Sequence, residues 1–467
     1  MLVNSITFLI FFILFLLPYF SLFRNKVSAQ NIWILIASYF FYGWADWRMI
    51  PLLFGATVIF YIITLAIAKN NKSSEGLCDN KRRIFLLWTG VLLGIGTLLY
   101  FKYTNFLLGP FGVNGNLIVP IGISFFTFKL IAYLVEVNKG NIPVERNFIR
   151  FATYIAFFPT IMSGPIDGPK EFLPQLKEKH LWNDEMVLEG CKRILWGLFL
   201  KMCIADKISP YTDSVFNNYY HHSGVTIILA SVLYTFQIYA DFCGYSEMAI
   251  GVGRMMGIKV TENFSRPLFA TNPGDFWRRW HMSLMAFFRE YIYFPLGGSR
   301  CSQVKILRNT MITFLVSGLW HGANWTFIIW GGYHGLLVYG YRKIKPFLPN
   351  QSNSRLLNNA RKYLSILLLF VVCTIGWMVF RCDTFQQFFG MLERFSAPGG
   401  LFFSWALTAI IPICIMLFKE LKDEEGWNIH LLHSKNWILQ AVSIALLIVY
   451  VFYTGELNGA QFIYFQF

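Results

Sequence analysis

The chain has 467 residues, of which 55% are hydrophobic and only 14% are charged. An ordinary soluble domain carries about 25% charged residues, so this composition argues against a soluble fold. The formal charge of +15 at pH 7 arises from lysines and arginines in short clusters between apolar runs. Such clusters are typical of membrane topology and do not indicate nucleic-acid binding.

Apolar runs long enough to cross a bilayer recur from one end of the chain to the other. A hydrocarbon core of about 30 Å requires roughly 20 residues of helix, and the backbone finds no water there to bond. We therefore predict an all-α polytopic membrane protein. The predicted spans are 2–20, 31–44, 49–68, 84–101, 119–137, 188–208, 225–240, 310–341, 364–380, 401–418 and 437–453. The short run 31–44 and the run 148–163, which Pro159 interrupts, are candidates for re-entrant segments.

Clusters of lysine and arginine predict the orientation of these spans. The loops 69–83 and 342–362 both carry several basic residues, and basic loops remain in the cytoplasm. Counting spans outward from these two loops places both termini on the extracytoplasmic side. No internal repeat or long linker is visible, so residues 1–467 are predicted to form a single transmembrane domain, with 455–467 as an extracytoplasmic tail.

His321 is the first candidate for chemistry. Thirteen residues separate it from Arg308 in a basic loop, which is about 20 Å of helix and predicts a position deep in the membrane. A histidine at that depth suggests function, because its burial is costly and it transfers protons near neutral pH. Ser317, His321 and Asn324 are spaced i, i+4 and i+7, which predicts a polar stripe on one helix face. The alternative is a neutral imidazole that only joins neighbouring helices.

His281 is the second candidate. It follows the aromatic and basic run 277–280, whose composition is typical of an interfacial helix at the lipid headgroups. That interpretation explains the tryptophans and arginines but not the histidine. His334 stands about 140° from His321 around one continuous helix, and it is therefore predicted to be structural.

Gln237 and Asp241 are further polar residues within and beside an apolar run. They either line a site or join helices by hydrogen bonds, which is the commoner role in membrane bundles. The eight cysteines show no paired metal-ligand spacing, so no metal site is predicted. The chain also lacks a P-loop, a nucleophile elbow and a dinucleotide fingerprint, which removes support for nucleotide hydrolysis and hydride transfer.

Six segments, spread in order over nearly half of the chain, resemble one known family. That family is the membrane-bound O-acyltransferases, and the resemblance is to the branch of alginate O-acetyltransferase membrane subunits. The segments are VPIGISFFTFKLIAYLVEVNKG from Val119, FFPTIMSGPIDGPKEFLPQL from Phe157, TFQIYADFCGYSEMAIG from Thr235, FWRRWHMSL from Phe276, YIYFPLGGSR from Tyr291 and SGLWHGANWTFIIWGGYHG from Ser317.

The resemblance implies a ring of about 11–12 transmembrane helices with short re-entrant helices around a central tunnel. It also implies that His321 is the central histidine of the family and His281 the second histidine of the bacterial branch. The implied reaction moves an acetyl group from cytoplasmic acetyl-CoA, a substrate and not a bound cofactor, across a bacterial inner membrane to an exopolysaccharide or cell-wall glycan. The implied partners are a periplasmic SGNH-type acetyltransferase, the polysaccharide acceptor and membrane lipids.

Two details of the donor and acceptor sides follow. Arg278 and Arg279 are predicted to bind the anionic donor, although ordinary membrane topology explains arginines there equally well. The last ten residues, NGAQFIYFQF, resemble a terminal motif of the branch, and Tyr464 is its only hydroxyl. Tyr464 is therefore a candidate acetyl relay, with a purely aromatic anchor as the alternative.

Two other functions remain open at this stage. The relative that transfers D-alanine to teichoic acid has the same two histidines, but the GANWTF continuation after His321 favours acetyl transfer. A glycan or lipid transporter, with histidines that only relay protons, represents a different class of protein.

Overall fold

The computed structural model describes residues 1–72, 77–111, 115, 117–349 and 352–456. Within these residues the secondary structure is helical and contains no β-strand, which confirms the all-α prediction. Five helical stretches in the described part of the chain are long and apolar enough to cross a membrane: Val27–Lys69, Asn80–Phe111, Gly224–Met255, Arg355–Arg381 and Trp437–Thr454. The ring and the tunnel implied by the resemblance stay predictions.

The chain divides into two compact units, 1–194 with 248–261 and 195–247 with 262–467. The prediction of a single domain over 1–467 stays a prediction. In the first unit the helices are α1 Ile6–Phe20, α2 Val27–Asp46, α3 Ile50–Lys72, α4 Leu77–Leu98, α5 Thr104–Leu108, α6 Ile123–Lys139, α7 Phe148–Ala156, α8 Pro169–Phe172 and α9 Asp184–Leu198, whose last turn enters the second unit.

Helix α2 is longer than the apolar run 31–44 predicted, because two amide side chains at its start are satisfied inside the unit. Gln30 donates a hydrogen bond to the carbonyl oxygen of His180 at 2.7 Å, and Asn31 donates one to that of Leu176 at 2.8 Å. A helix of 20 residues results, so α2 does not have the short length on which the re-entrant interpretation rested.

The second re-entrant candidate is interrupted as predicted. Helix α7 ends at Ala156, and Phe157 leaves the helical conformation with ψ of 109°, two residues before Pro159. The residues that follow, 157–167, are buried without forming an α-helix. Non-helical backbone is tolerated at membrane depth where protein covers it. Gly122, with φ of +74°, packs against this segment so closely that a β-carbon there would overlap the carbonyl oxygen of Ile161.

The second unit contains the helices α10 Asp206–Asn217, α11 Gly224–Met255, α12 Pro273–Arg279, α13 Met282–Phe288, α14 Gln303–His321, α15 Trp325–Ile344, α16 Arg355–Arg381, α17 Phe385–Glu393, α18 Ile410–Glu425 and α19 Trp437–Thr454. Part of α11 belongs to the first unit. The prediction of one span over 310–341 is wrong. Helix α14 ends at His321, and Asn324 caps α15 by accepting a hydrogen bond from the amide of Thr326 at 3.1 Å.

Helices α14 and α15 therefore form an antiparallel hairpin with its tip at 322–324. Gly318 and Gly331 lie where the two helices touch, and a β-carbon on either would overlap a backbone carbonyl oxygen of the opposite helix. These two glycines therefore allow the close approach of α14 and α15. The run 310–341 was too long for one ordinary span, and the Gly-Ala-Asn sequence is where it turns.

Candidate functional site

His321 is the last residue of α14 and lies among aromatic rings. Its side chain is buried, and its ring centroid is 4.9 Å from that of Trp320, 5.0 Å from that of Trp330 and 5.3 Å from that of Phe380. Ser317, one turn earlier on the same helix, is also buried, and its hydroxyl has no hydrogen-bond partner within the described ranges. His321 and Ser317 are therefore buried near the tip of the hairpin, with aromatic rings around the imidazole.

His281 lies at the break between α12 and α13. Its backbone has φ of +45°, and its side chain is 1% exposed. The imidazole is 4.5 Å from the ring of Phe242 on α11 and 5.9 Å from the ring of Trp320. Because Trp320 contacts both His281 and His321, the structure brings the two sequence-predicted histidines to the same indole ring.

The tryptophans near His281 are not interfacial anchors. Trp277 and Trp280 are 6% and 1% exposed, and they pack against other aromatic rings inside the unit. The interfacial interpretation failed because the aromatic and basic run forms α12 and the turn after it, with the indoles directed inward. Trp277 and Trp280 are therefore buried side chains of the site next to His281.

Arg278 and Arg279 differ although they are neighbours in sequence. The side chain of Arg278 is 68% exposed and reaches Asp275 only at 3.5 Å. Arg279 is 3.1 Å from Asp275 and 2.9 Å from Glu424 on α18. Burial opposes ionisation of Glu424, but hydrogen bonds from Arg266 and Arg279 prevail and hold its pKa below the usual value. The ion pair of Arg279 with Glu424 thus joins α12 to α18, whereas the side chain of Arg278 is mostly exposed.

His334 lies closer to His321 than helical spacing suggested. The angular argument assumed one continuous helix, and that assumption is wrong because the chain turns at 322–324. The rings of His321 and His334 are each 5.0 Å from the ring of Trp330. His334 also packs closely against Gly376 of α16, where a β-carbon would lie 2.7 Å from Nε2. Its structural role stays a prediction.

Asn324 does not continue a polar helical stripe with Ser317 and His321, because the helix has already ended. Besides capping α15, it donates a hydrogen bond to the carbonyl oxygen of Asp383 at 2.8 Å. Its contacts therefore fix the tip of the hairpin that carries His321. Tyr464 and the rest of the terminal motif lie outside the described residues, and their proposed role stays a prediction.

Gln237 and Asp241 make the contacts expected of helix pairing. Gln237 accepts a hydrogen bond from the hydroxyl of Thr212 on α10 at 2.6 Å, and Asp241 forms an ion pair with Lys201 at 2.6 Å. Lys201 also pairs with Asp206 at 2.8 Å, and all three charged side chains are buried. That Gln237 and Asp241 also line a site stays a prediction.

Lys201 and Asp206 were missed by the sequence interpretation. Both lie within the apolar run 188–208, and an ionisable residue inside such a run was the available signal. Residues 199–205 form a π-helix, whose i to i+5 repeat brings Lys201 and Asp206 to the same side. In a continuous α-helix, Lys201 and Asp206 would lie on different sides, so the sequence did not predict their ion pair.

Comparison with known proteins matches this chain to one family. The model of the MBOAT, membrane-bound O-acyltransferase, family covers residues 40–379. A probable alginate O-acetylase of Pseudomonas aeruginosa is 36% identical over 86% of this chain and 76% of its own length. A peptidoglycan O-acetyltransferase of Helicobacter pylori is 33% identical over 79% and 74%, and a teichoic acid D-alanyltransferase of Bacillus subtilis is 31% identical over 58% and 71%. The chain, a multi-pass membrane enzyme, belongs to the membrane-bound O-acyltransferase family.

Proposed function

We propose that this protein moves an acetyl group from cytoplasmic acetyl-CoA across a bacterial inner membrane for O-acetylation of a cell-envelope polysaccharide. The observation that carries the proposal is that His281 and His321 both contact the buried indole of Trp320. The two histidines lie in two of the segments that resemble the family. The names of the similar alginate and peptidoglycan O-acetylating proteins support a polysaccharide acceptor and acetyl as the transferred group.

The proposed chemistry needs one proton acceptor and one proton donor. A hydroxyl oxygen attacks the thioester carbonyl, the carbon–sulfur bond breaks, and the hydroxyl proton ends on the departing sulfur. His321 takes the proton from the attacking hydroxyl, and the same imidazole or His281 protonates the thiolate. The surrounding rings of Trp320 and Trp330 exclude water, which protects the thioester from hydrolysis.

The donor is proposed to enter from the cytoplasmic side, where the basic loops are expected. Coenzyme A carries phosphates, which an arginine guanidinium binds well. The guanidinium of Arg278 is exposed, and its ion pair with Asp275 is long at 3.5 Å. Charge reversal at Arg278 should raise the KM for acetyl-CoA and leave the amount of inserted protein unchanged. The matched change at Arg279 should instead reduce the amount of folded protein, because Arg279 fastens two helices through Glu424.

On the outer side, both termini are proposed to be periplasmic and Tyr464 to act as the acetyl relay. The phenol would receive the acetyl group and pass it to a periplasmic SGNH-type acetyltransferase, so that the polysaccharide need not enter the membrane. Tyr464→Phe keeps the aromatic ring and removes only the hydroxyl. Normal polysaccharide acetylation in this variant would eliminate the relay, while its loss together with an acetylated tail peptide in the parent protein would support it.

The decisive experiment for the reaction uses membranes that contain parent or variant protein and radiolabelled acetyl-CoA. His321→Ala should insert normally and lose transfer of label to polysaccharide, whereas His430→Ala, at an exposed position, should transfer normally. Full transfer by His321→Ala would refute the assignment.

The same membranes separate the two competing functions. D-alanyl transfer is supported by the Bacillus subtilis relative, which is matched over a smaller share of this chain than the O-acetylating proteins. In that arm of the experiment, labelled D-alanine held as a thioester on a carrier protein replaces acetyl-CoA, and the carrier thiol is the leaving group. A transporter would export polysaccharide without consuming either donor.

A further inference from the structure

The backbone of His281 is held in a conformation that few residues adopt. Its φ of +45° is in the left-handed region, and among the described non-glycine residues only Arg266 shares a positive φ. Such a conformation persists only where the surrounding structure enforces it. The segment 277–284 contains neither proline nor glycine, so the enforcement must come from elsewhere in the unit.

Asn263 supplies that enforcement through both its backbone and its side chain. Its carbonyl oxygen accepts a hydrogen bond from the amide of Met282 at 2.9 Å. Its Oδ1 accepts two more from Ser283, from the hydroxyl at 2.9 Å and from the amide at 3.3 Å. Asn263 therefore binds the two residues that directly follow His281, and it is fully buried.

The other end of the Asn263 side chain is fixed to α11. Its Nδ2 donates a hydrogen bond to the hydroxyl of Ser246 at 3.1 Å. Ser246 is one helical turn beyond Phe242, whose ring is 4.5 Å from the imidazole of His281. One face of α11 thus contacts the imidazole directly and holds its backbone through Asn263. A carboxamide is suited to this place because it accepts at one end and donates at the other.

We propose that Asn263 is a positioning residue for His281 in the acyl-transfer reaction. This inference rests on the proposed function, in which His281 takes part in proton transfer. Without the carboxamide, the turn after α12 relaxes from the left-handed conformation and the imidazole shifts relative to Trp320. A shift of about 1 Å is enough to cost on the order of 100-fold in turnover.

The test compares Asn263→Ala with Asn309→Ala. Asn309 is equally buried, and it donates a hydrogen bond to the carbonyl oxygen of Gly298 at 3.1 Å, so its loss also loosens a loop. It contacts neither His281 nor Ser283 in the hydrogen bonds of the described chain. Asn263→Ala should lower kcat for labelled acetyl-CoA by about 100-fold with little change in KM. Ser283→Ala, which removes one of these bonds, should lower kcat by about tenfold at most.

A second measurement does not depend on catalysis. Diethyl pyrocarbonate modifies accessible histidines, and peptide mass spectrometry reports the modification of His281. His281 should be protected in the parent and in Asn309→Ala, and it should lose that protection in Asn263→Ala. Equal losses of kcat in Asn263→Ala and Asn309→Ala, or unchanged protection of His281, would overturn the positioning role. An active His281→Ala would instead remove His281 from the proposed reaction, which the protection measurement would not detect.

Discussion

Two buried interruptions of helical structure in this protein are maintained in different ways. In the first unit, the segment 157–167 follows α7 and contains Pro159 and Pro165, so the break is encoded locally. In the second unit, the turn at Trp280 and His281 has no local helix breaker and depends on Asn263, which is distant in sequence. A break at a proposed site residue can therefore be held by tertiary contacts and leave little trace in its own sequence.

The largest effect expected concerns the packing of the first interruption. Gly122→Ala should prevent normal folding, because the β-carbon would overlap the carbonyl oxygen of Ile161 and the φ of +74° disfavours any side chain. Detergent-solubilised protein should elute as aggregate in size-exclusion chromatography. Gly96→Ala in α4, where a β-carbon meets nothing within 4 Å, is the control and should elute normally. A well-folded Gly122→Ala protein would show that the segment 157–167 can shift.

A third interruption, the π-helix 199–205, depends on buried charge. Lys201→Met should destabilise the protein by about 3–5 kcal/mol, because it leaves Asp206 and Asp241 without their shared cation. Thermal unfolding in detergent measures the loss. Adding Asp206→Asn and Asp241→Asn to Lys201→Met should recover much of the stability, since the two carboxylates that lost their cation are then neutral. No recovery in the triple variant would show that the ion pairs hold a geometry that neutral side chains cannot.

A smaller effect distinguishes backbone strain from imidazole chemistry at the second interruption. His281→Ala and His281→Gly should both lose acyl transfer, but the glycine variant should be more stable by about 1 kcal/mol because glycine tolerates positive φ. Thermal unfolding of the two variants provides the comparison. If alanine were the more stable replacement, the left-handed conformation would not be under strain.

The smallest effect expected is the pH dependence of the contact between α12 and α18. Because the pKa of Glu424 is lowered in the folded protein, its contribution to stability is present above the unfolded pKa of about 4.3 and lost as pH falls through the lower folded pKa. Glu424→Gln should lower the melting temperature near neutral pH by an amount equivalent to about 1 kcal/mol or less. Parent and variant should converge under acid conditions, and an equal difference at every pH would contradict the ionic explanation.

The elements that local sequence specifies were predictable, and those that depend on distant partners were not. Family membership followed from the ordered motifs, and the burial of His321 followed from its position far inside an apolar run, whereas the burial of His281 was not predicted. The turn at 322–324 was missed because the sequence is apolar on both sides of it, so that two helices were taken for one span. Asn324 was an available signal, since asparagine is a common helix cap. Lys201 and Asp206 were missed because only a π-helix brings them to one side. The importance of Asn263 is visible only once its hydrogen bonds are known.

The split of 310–341 into two helices also affects topology. Counting α14 and α15 separately turns an odd number of predicted runs between the basic loops 69–83 and 342–362 into an even number. An even number is what two loops on the same side of a membrane require. The corrected count is compatible with the orientation predicted from charge, and that orientation stays a prediction.

The hairpin also sets the distance between the start of α14 and His321. Helix α14 has 19 residues and is about 28 Å long. Lys305 and Arg308 lie in its first two turns, not in a loop as the sequence predicted for Arg308, and the helix ends at His321. The rigid contact of Gly318 and Gly331 with the opposite helix prevents one helix from sliding along the other. The imidazole is consequently set at a fixed height above the basic end of the hairpin. Deleting one turn from both helices would bring His321 about 5.4 Å closer to that end of the hairpin.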